Sequence, residues 1–314
     1  MAEYNIYIDK IKCSRLEFSN NPALVSVDSS LPYIDTTDAG QMFFNCRYLT
    51  SIPDNLFENN QQITNVNTTF YNCRSLTGTI PNIPDSATDM YCTFYNCYTL
   101  TGTIPNIPNS VTDMRYTFYN CNNLTGNIPN IPNKVTRMLS TFMSCSKLTG
   151  NIPNIPDSVI TINSTFSGCS NLTGTIPTIP NSVTDMGSTF YFCRNLTGNI
   201  PNIPANVTSM YQTFSYCSNL TGSIPTIPNK VTNMCWTFRG CSNLTGTSYI
   251  HSTNISNAIN CFNSTSNTLS KTVYIHYTYD NGVYTKTYNS FQTAGYVGTN
   301  TTQATMWNVN VLNF

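Results

Sequence analysis

Charge is scarce in this chain. Of 314 residues only 9% are charged, and 14 basic side chains balance 14 acidic ones. No basic stripe is present to meet phosphate, so nucleic-acid binding lacks its main driving term. Electrostatic docking on anionic membranes is disfavoured for the same reason. Long apolar runs are missing, so nothing in the sequence spans a bilayer as a helix. Histidine is nearly absent, and neither His251 nor His276 stands beside a repeated serine, cysteine or carboxylate. General acid–base and nucleophilic catalysis are thereby left without their usual parts. The N-terminal stretch MAEYNIYIDKIKCSRLEF carries early acids and no apolar core, and is read as no secretory leader.

What the chain has is repetition. A unit of 24 residues recurs, marked by Cys73, Cys97, Cys121, Cys145, Cys169, Cys193, Cys217 and Cys241. A fixed period of this size is the signature of a solenoid. With Leu124 as position 1, the apolar residues of one unit fall at positions 1, 5, 8, 12, 15, 19 and 22: Leu124, Ile128, Ile131, Val135, Met138, Phe142 and Cys145. They are spread around the whole unit, as a coil wrapped about its own axis requires. Seven regular units begin at Leu76, Leu100, Leu124, Leu148, Leu172, Leu196 and Leu220, and an earlier one carries three extra residues around DNLFENN.

Within each unit, LTGTIP or LTGNIP predicts a short half-buried strand that stacking turns into one rung of a parallel sheet. The proline pairs that follow (P-N-I-P or P-T-I-P) steer every coil through the same extended bend. Thr at position 13, with Asp89, Asp113 or Asp185 after it, predicts a helix N-cap. Unit 4 departs from this, with Ile160 in place of the capping threonine. Met, Phe and Cys at 15, 19 and 22, spaced 4 and 3 apart, predict a short helix with one buried stripe. Asn at position 24, as in Asn195 and Asn219, suits a left-handed turn that ends it. The expected fold is therefore a right-handed α/β solenoid, leucine-rich-repeat-like, with a short parallel strand and a short helix per coil. Residues 1–35 are expected to form an N-terminal cap, 36–262 the solenoid and 263–314 a C-terminal β-hairpin cap. That cap is carried by TVYIHYTY, the turn Asp280-Asn281-Gly282 and VYTKTY, with a short helix near NSFQTAGY and a last strand in TMWNVNVLNF.

Cysteine is abundant at 13 residues, and ten of them (Cys46 and Cys261 join the eight above) occupy one place in successive units. In-register side chains point the same way, which predicts buried free thiols rather than bridges. Cys13, Cys92 and Cys235 lie off that ladder and are expected to be exposed. The spacings Cys92/Cys97 and Cys235/Cys241 do not suit a zinc site, so no metal or other cofactor is expected.

Comparison of the units with one another gives the sharpest functional signal. Positions 16, 17, 20 and 21 do not hold their identity. They carry Tyr91, Arg115 and Tyr211 at position 16, Tyr116, Gln212 and Trp236 at position 17, and Tyr95, Tyr119, Tyr191 and Arg239 at position 20. Drift on an exposed surface brings in Lys, Glu and Asp, and these are missing. A palette of Tyr, Ser, Asn, Gly, Trp and Arg is that of adaptable binding surfaces. These ten residues are the candidate binding face, outside the Met-Phe-Cys stripe.

The unit F-x-x-C-x-x-L-T-x-x-I-P followed by V-T-x-M, seen in Phe118-Cys121-Leu124 with Val135-Met138, resembles the BspA-like leucine-rich-repeat family over about residues 39–262. Members of that family are bacterial and protist surface proteins, and similar repeats occur in gut-bacterial and phage proteins. The resemblance implies adhesion to host surfaces or matrix proteins without catalysis. With no leader expected, the reading is a non-enzymatic virion protein of a phage, such as a tail or fibre component, that attaches to a host-surface protein or glycan. The alternatives are a bacterial cell-surface adhesin and a structural subunit of a filament or shell.

Overall fold

The computed structural model describes residues 18–27, 36–58, 60–250, 252–263, 271–277, 279–280, 283–284, 286–294 and 308–313. The chain divides into two compact units, Met1–Ser158 and Val159–Phe314. Both are built from the same 24-residue coil.

In the first unit the seven inward positions are occupied as the sequence pattern requires. In the coil from Leu124, the side chains of Leu124, Val135, Met138, Phe142 and Cys145 are fully buried, and Ile128 and Ile131 are nearly so. Burying several large apolar side chains per coil, at about 1.5–3 kcal/mol each, gives each repeat an interface that only a neighbouring coil completes. The phenylalanines form a column: Phe94 and Phe118 stack with ring centroids 5.7 Å apart, and Phe118 and Phe142 at 5.6 Å. Beside it run the cysteines, all free and buried among the described residues. Thiols of the position-22 column turn to the backbone of the preceding coil, as when Cys121 donates to the Phe94 carbonyl at 3.0 Å. Desolvation raises the Cys97 thiol pKa well above its ordinary value, so the column stays protonated and acts as a stack of small apolar residues.

The stretch expected to be helical is a pair of tight turns. In the coil from Leu100, the Thr117 N–H donates to the Met114 carbonyl and the Cys121 N–H to the Phe118 carbonyl, each three residues back. Between these bonds Tyr116 and Asn120 have φ of 57° and 59°, at the place where a type II turn needs a positive value. The Tyr119 N–H likewise closes on the Tyr116 carbonyl, whereas the alternate N–H groups of Tyr116, Phe118 and Asn120 leave the coil altogether. Cys92 donates to the Arg115 carbonyl at 2.9 Å and Phe94 to that of Thr117 at 2.8 Å, both in the next coil. A helix would have closed those bonds four residues back within one coil. Here every second one ties neighbouring coils together.

Three smaller expectations are corrected by the same geometry. Position 13 caps nothing with its side chain; its backbone makes a coil-to-coil rung, as Thr136 N–H to the Thr112 carbonyl at 2.9 Å. The true cap is one residue later, where the Asp113 carboxylate accepts the Arg115 N–H at 3.0 Å in an Asx-turn. The left-handed residue sits at position 21, not 24. Cys92 is buried, not exposed; Cys13 lies outside the described residues. The Leu-Thr-Gly stretch is also less strand-like than expected, because the position-3 glycine has positive φ (Gly126, 75°) and only isolated parallel bridges flank it, Thr103 to Thr125 and Asn127 to Thr149.

A column the sequence pattern passed over lies at position 18. Thr93, Thr117 and Thr141 are fully buried. The Thr117 hydroxyl reaches the Met90 carbonyl of the preceding coil and the Met114 carbonyl of its own, at 2.8 Å each. It locks the first turn of each coil to its neighbour.

The second unit repeats this plan. Met210, Gln212, Phe214 and Tyr216 donate to Asn233, Cys235, Thr237 and Arg239 of the next coil at 2.9, 3.0, 3.0 and 2.6 Å. The Thr184 N–H donates to the Ile160 carbonyl at 2.9 Å, so isoleucine at position 13 keeps the backbone rung and forgoes only the hydroxyl bond to the preceding coil that threonine adds, as Thr208 does to the Thr184 carbonyl at 3.2 Å. Cys235, like Cys92, is buried. Strands β1 (Gly198–Asn199) and β2 (Leu220–Thr221) pair in parallel. Strand β3 (Gly246–Ile250) opens a parallel sheet with β4 (Lys271–Tyr277) and β7 (Asn308–Asn313), in the order β3-β4-β7. Strands β5 (Tyr279–Asp280) and β6 (Val283–Tyr284) pair antiparallel about the expected turn, whose Asn281 and Gly282 lie outside the described residues, whereas most of TVYIHYTY, expected as the hairpin's first strand, belongs to the parallel β4. Helix α1 (Lys286–Thr293) is the one α-helix among the described residues, and its Phe291 stacks on Phe262 at 5.8 Å. The N-terminal stretch YNIYIDKI, whose alternation reads as a strand, and His251 fall outside the described residues.

Candidate functional site

The two turns decide which side chains face outward. Positions 16 and 17 are the central residues of the first turn and 20 and 21 those of the second, so these four stand at the corners of every coil. In the first unit the corners carry rings. Phe44, Tyr71, Tyr95 and Tyr119, all at position 20, form a second aromatic column, half-buried, with successive centroids 4.9, 4.7 and 4.5 Å apart. Tyr116 packs edge-on against both Tyr95 and Tyr119, and Tyr91 against Tyr116. Arg115 lies with its guanidinium 5.0 Å from the Tyr91 ring centre. It is held there by the buried Asp113 carboxylate, at 2.6 Å, which Arg137 also approaches at 3.4 Å. Burial pushes the Tyr95 phenol up to about 12, with the neighbouring Tyr119 adding to the rise. Tyr95 therefore stays neutral and keeps its hydroxyl hydrogen.

In the second unit the corners are again aromatic but less regular. Tyr211 and Trp236 meet at 5.6 Å, and Tyr191, Phe192 and Tyr216 form a cluster with Phe192 and Tyr216 stacked at 4.5 Å. Arg239 covers the Tyr216 ring at 5.3 Å and Arg194 covers Phe192 at 4.8 Å. Gln212 accepts from the Ser188 hydroxyl at 3.4 Å. The Trp236 indole N–H is buried and has no hydrogen-bond partner.

Of the ten residues named from the sequence, Tyr91, Tyr95, Arg115, Tyr116 and Tyr119 thus form one cluster in the first unit. In the second, Tyr211 meets Trp236, while Tyr191 and Arg239 both meet Tyr216. Gln212 stands on the same corners without a ring contact to either group. Sequence reasoning missed Phe44 and Tyr71, which sit in the irregular early coils, and Phe192 and Tyr216, which sit at position 21. Aligning the early coils on Phe43 and Phe70 would have found the first pair.

Tyr116 and Trp236 hold left-handed φ values of 57° and 58°. Bulky side chains there are uncommon and cost of order 1–3 kcal/mol, which the coil-to-coil hydrogen bonds of the same residues offset. No group of three or more His, Cys, Asp or Glu fit to hold a metal occurs among the described residues.

A protein-family model described as "Mycoplasma protein of unknown function, DUF285" matches the chain three times, at residues 37–155, 88–202 and 160–274. The chain belongs to the DUF285 family. All three DUF285 matches begin at position 13 of a coil, at Thr37, Thr88 and Ile160, the rung that opens each pair of turns. Every regular coil's corner positions lie inside the matched span. No curated protein and no solved structure was found to match the chain.

Proposed function

We propose that this chain is a non-catalytic recognition protein whose contact surface is the aromatic strip at the turn corners. The observation that carries the reading is the contrast between columns. Positions 15, 18, 19 and 22 keep their chemistry from coil to coil and are buried, whereas positions 16, 17, 20 and 21 change and hold rings, small polar residues and arginine. Large amphipathic rings with few degrees of freedom bind at low entropic cost. In the first unit they are already stacked on one another, so a partner meets ring edges and hydroxyls in a pre-organised row.

The resemblance to BspA-like repeats supports adhesion as the task, and the occurrence of similar repeats in phage proteins supports a virion component, such as a tail or fibre protein, that attaches to a host-surface protein or glycan. A bacterial cell-surface adhesin is the alternative on the same resemblance. We also infer that the coils wind right-handed, as leucine-rich-repeat-like solenoids do, because crossovers between parallel strands are almost always right-handed. No helix among the described residues is long and apolar enough to cross a membrane.

A structural subunit of a filament or shell is the second reading, favoured by Tyr249. Its ring is 46% exposed on β3 and stacks with Tyr274 of β4 at 5.2 Å, a pair suited to contact between subunits. Adsorption of the fluorescently labelled chain to host cells separates the two. The recognition reading predicts saturable adsorption, lost by at least tenfold in Tyr95→Ala/Tyr119→Ala or Tyr211→Ala/Trp236→Ala. Adsorption unchanged in both, with assembly abolished by Tyr249→Ala, refutes it.

A further inference from the structure

Away from the aromatic corners, the proline bends of the first unit form an open groove of about 620 Å³. One wall is the position-7 row Asn106, Asn130 and Asn154, and the other is the position-10 pair Asn109 and Asn133. Between the rows lies a floor of isoleucine and proline, with Ile107 and Ile131 each 6% exposed. Among the described residues none of these five side-chain amides has a hydrogen-bond partner, and no charged side chain lines the groove, the position-10 row reaching Asp85 and Asp157 only beyond its two ends. In the second unit the position-7 row is interrupted by Thr178 and Thr226, so the amide wall belongs to the first unit.

We propose that this groove binds a neutral, extended glycan built of β-1,4-linked pyranoses with equatorial hydroxyls. Such a chain is a ribbon with apolar C–H faces and hydroxylated edges, the complement of an apolar floor between two amide rows. Each amide offers two donors and an acceptor, and vicinal hydroxyls answer with both. Successive coils stand about 4.8 Å apart, close to the advance of one pyranose along an extended chain, so each coil meets one sugar. The lack of charge disfavours uronic, sulfated or phosphorylated polymers. A peptide strand is poorly served, since an added strand needs a main-chain ladder and the proline at positions 6 and 9 of each coil has no N–H.

The site is separate from the aromatic strip, and its test is independent of that reading. Isothermal titration of the full chain with cellohexaose is expected to show binding that Asn106→Ala/Asn130→Ala/Asn154→Ala weakens at least tenfold. Tyr95→Ala/Tyr119→Ala is expected to leave it within twofold. The three asparagines are exposed and unbonded, so thermal unfolding of the triple variant is expected to match the parent. Asn130→Arg, which fills the groove from one exposed position, gives the same readout if the triple variant unfolds early. The proposal is overturned if cellohexaose does not bind, or if binding survives both the triple change and Asn130→Arg. It is also overturned if an uncharged Ser/Thr decapeptide binds with the same asparagine dependence while cellohexaose does not.

Discussion

Raising the pH should unfold this protein steeply, because its thiols cannot ionise in place. Desolvation holds Cys97, Cys193, Cys217 and Cys261 well above the usual thiol value, whereas an unfolded thiol titrates near 8.5. The folded state therefore keeps protons that the unfolded state releases. The stability these thiols contribute is fully present below about pH 8.5 and is lost as pH climbs from there towards the folded values. Each fully protected thiol costs about 1.4 kcal/mol per pH unit in that window. At pH 10 the four together withdraw about 8 kcal/mol, comparable with the whole 5–15 kcal/mol stability of an ordinary domain. Urea unfolding followed by circular dichroism under reductant, from pH 7.5 to 10, reads this directly. Cys217→Ser should reduce the alkaline slope by about 1.4 kcal/mol per pH unit. An unfolding free energy constant within about 1 kcal/mol over that range would show that the cysteine column is not sealed from water, and the packing argument would fail.

Other perturbations separate the columns. Phe118→Ala removes a ring stacked on both sides, and a loss of about 3–5 kcal/mol is expected by urea titration. Thr117→Val keeps the shape but strips the hydroxyl from two methionine carbonyls; about 1 kcal/mol should be lost in the same assay, with no change in cell adsorption. Gly126→Ala puts a Cβ 2.7 Å from the Thr103 Cγ2 at a φ of 75° and should lower stability by about 1–3 kcal/mol. By contrast, Tyr119→Ala, at a half-exposed corner, should cost less stability than Phe118→Ala one residue away while cutting adsorption.

The inward columns were legible in the sequence because one residue type at one phase can only mean one environment. Leu124, Val135, Met138, Phe142 and Cys145 are buried where their period put them. The local conformation was not legible. A helix and two successive four-residue turns both return side chains to one face at spacings of 4 and 3, so Met138, Phe142 and Cys145 fit either. What decides between them is where alternate N–H groups go, and no residue type records a bond to the next coil. The outward set survived the wrong geometry, since positions 16, 17, 20 and 21 are the far side of a helix and also the corners of the turns. Cys92 and Cys235 were misjudged because a corner residue can turn in beside an aromatic side chain, here Tyr91 and Tyr211. The groove asparagines gave no signal, since an exposed amide beside a proline reads as ordinary turn chemistry.

Hydroxyl-radical footprinting with residue-level mass spectrometry tests the division into sealed columns and a changing outer skin most directly. The account predicts that Met90, Phe94, Phe118 and Cys121 stay unmodified in the native chain while Tyr91, Tyr95, Tyr116 and Tyr119 react. Modification of the phenylalanine and cysteine columns at rates equal to those of the tyrosines would contradict it.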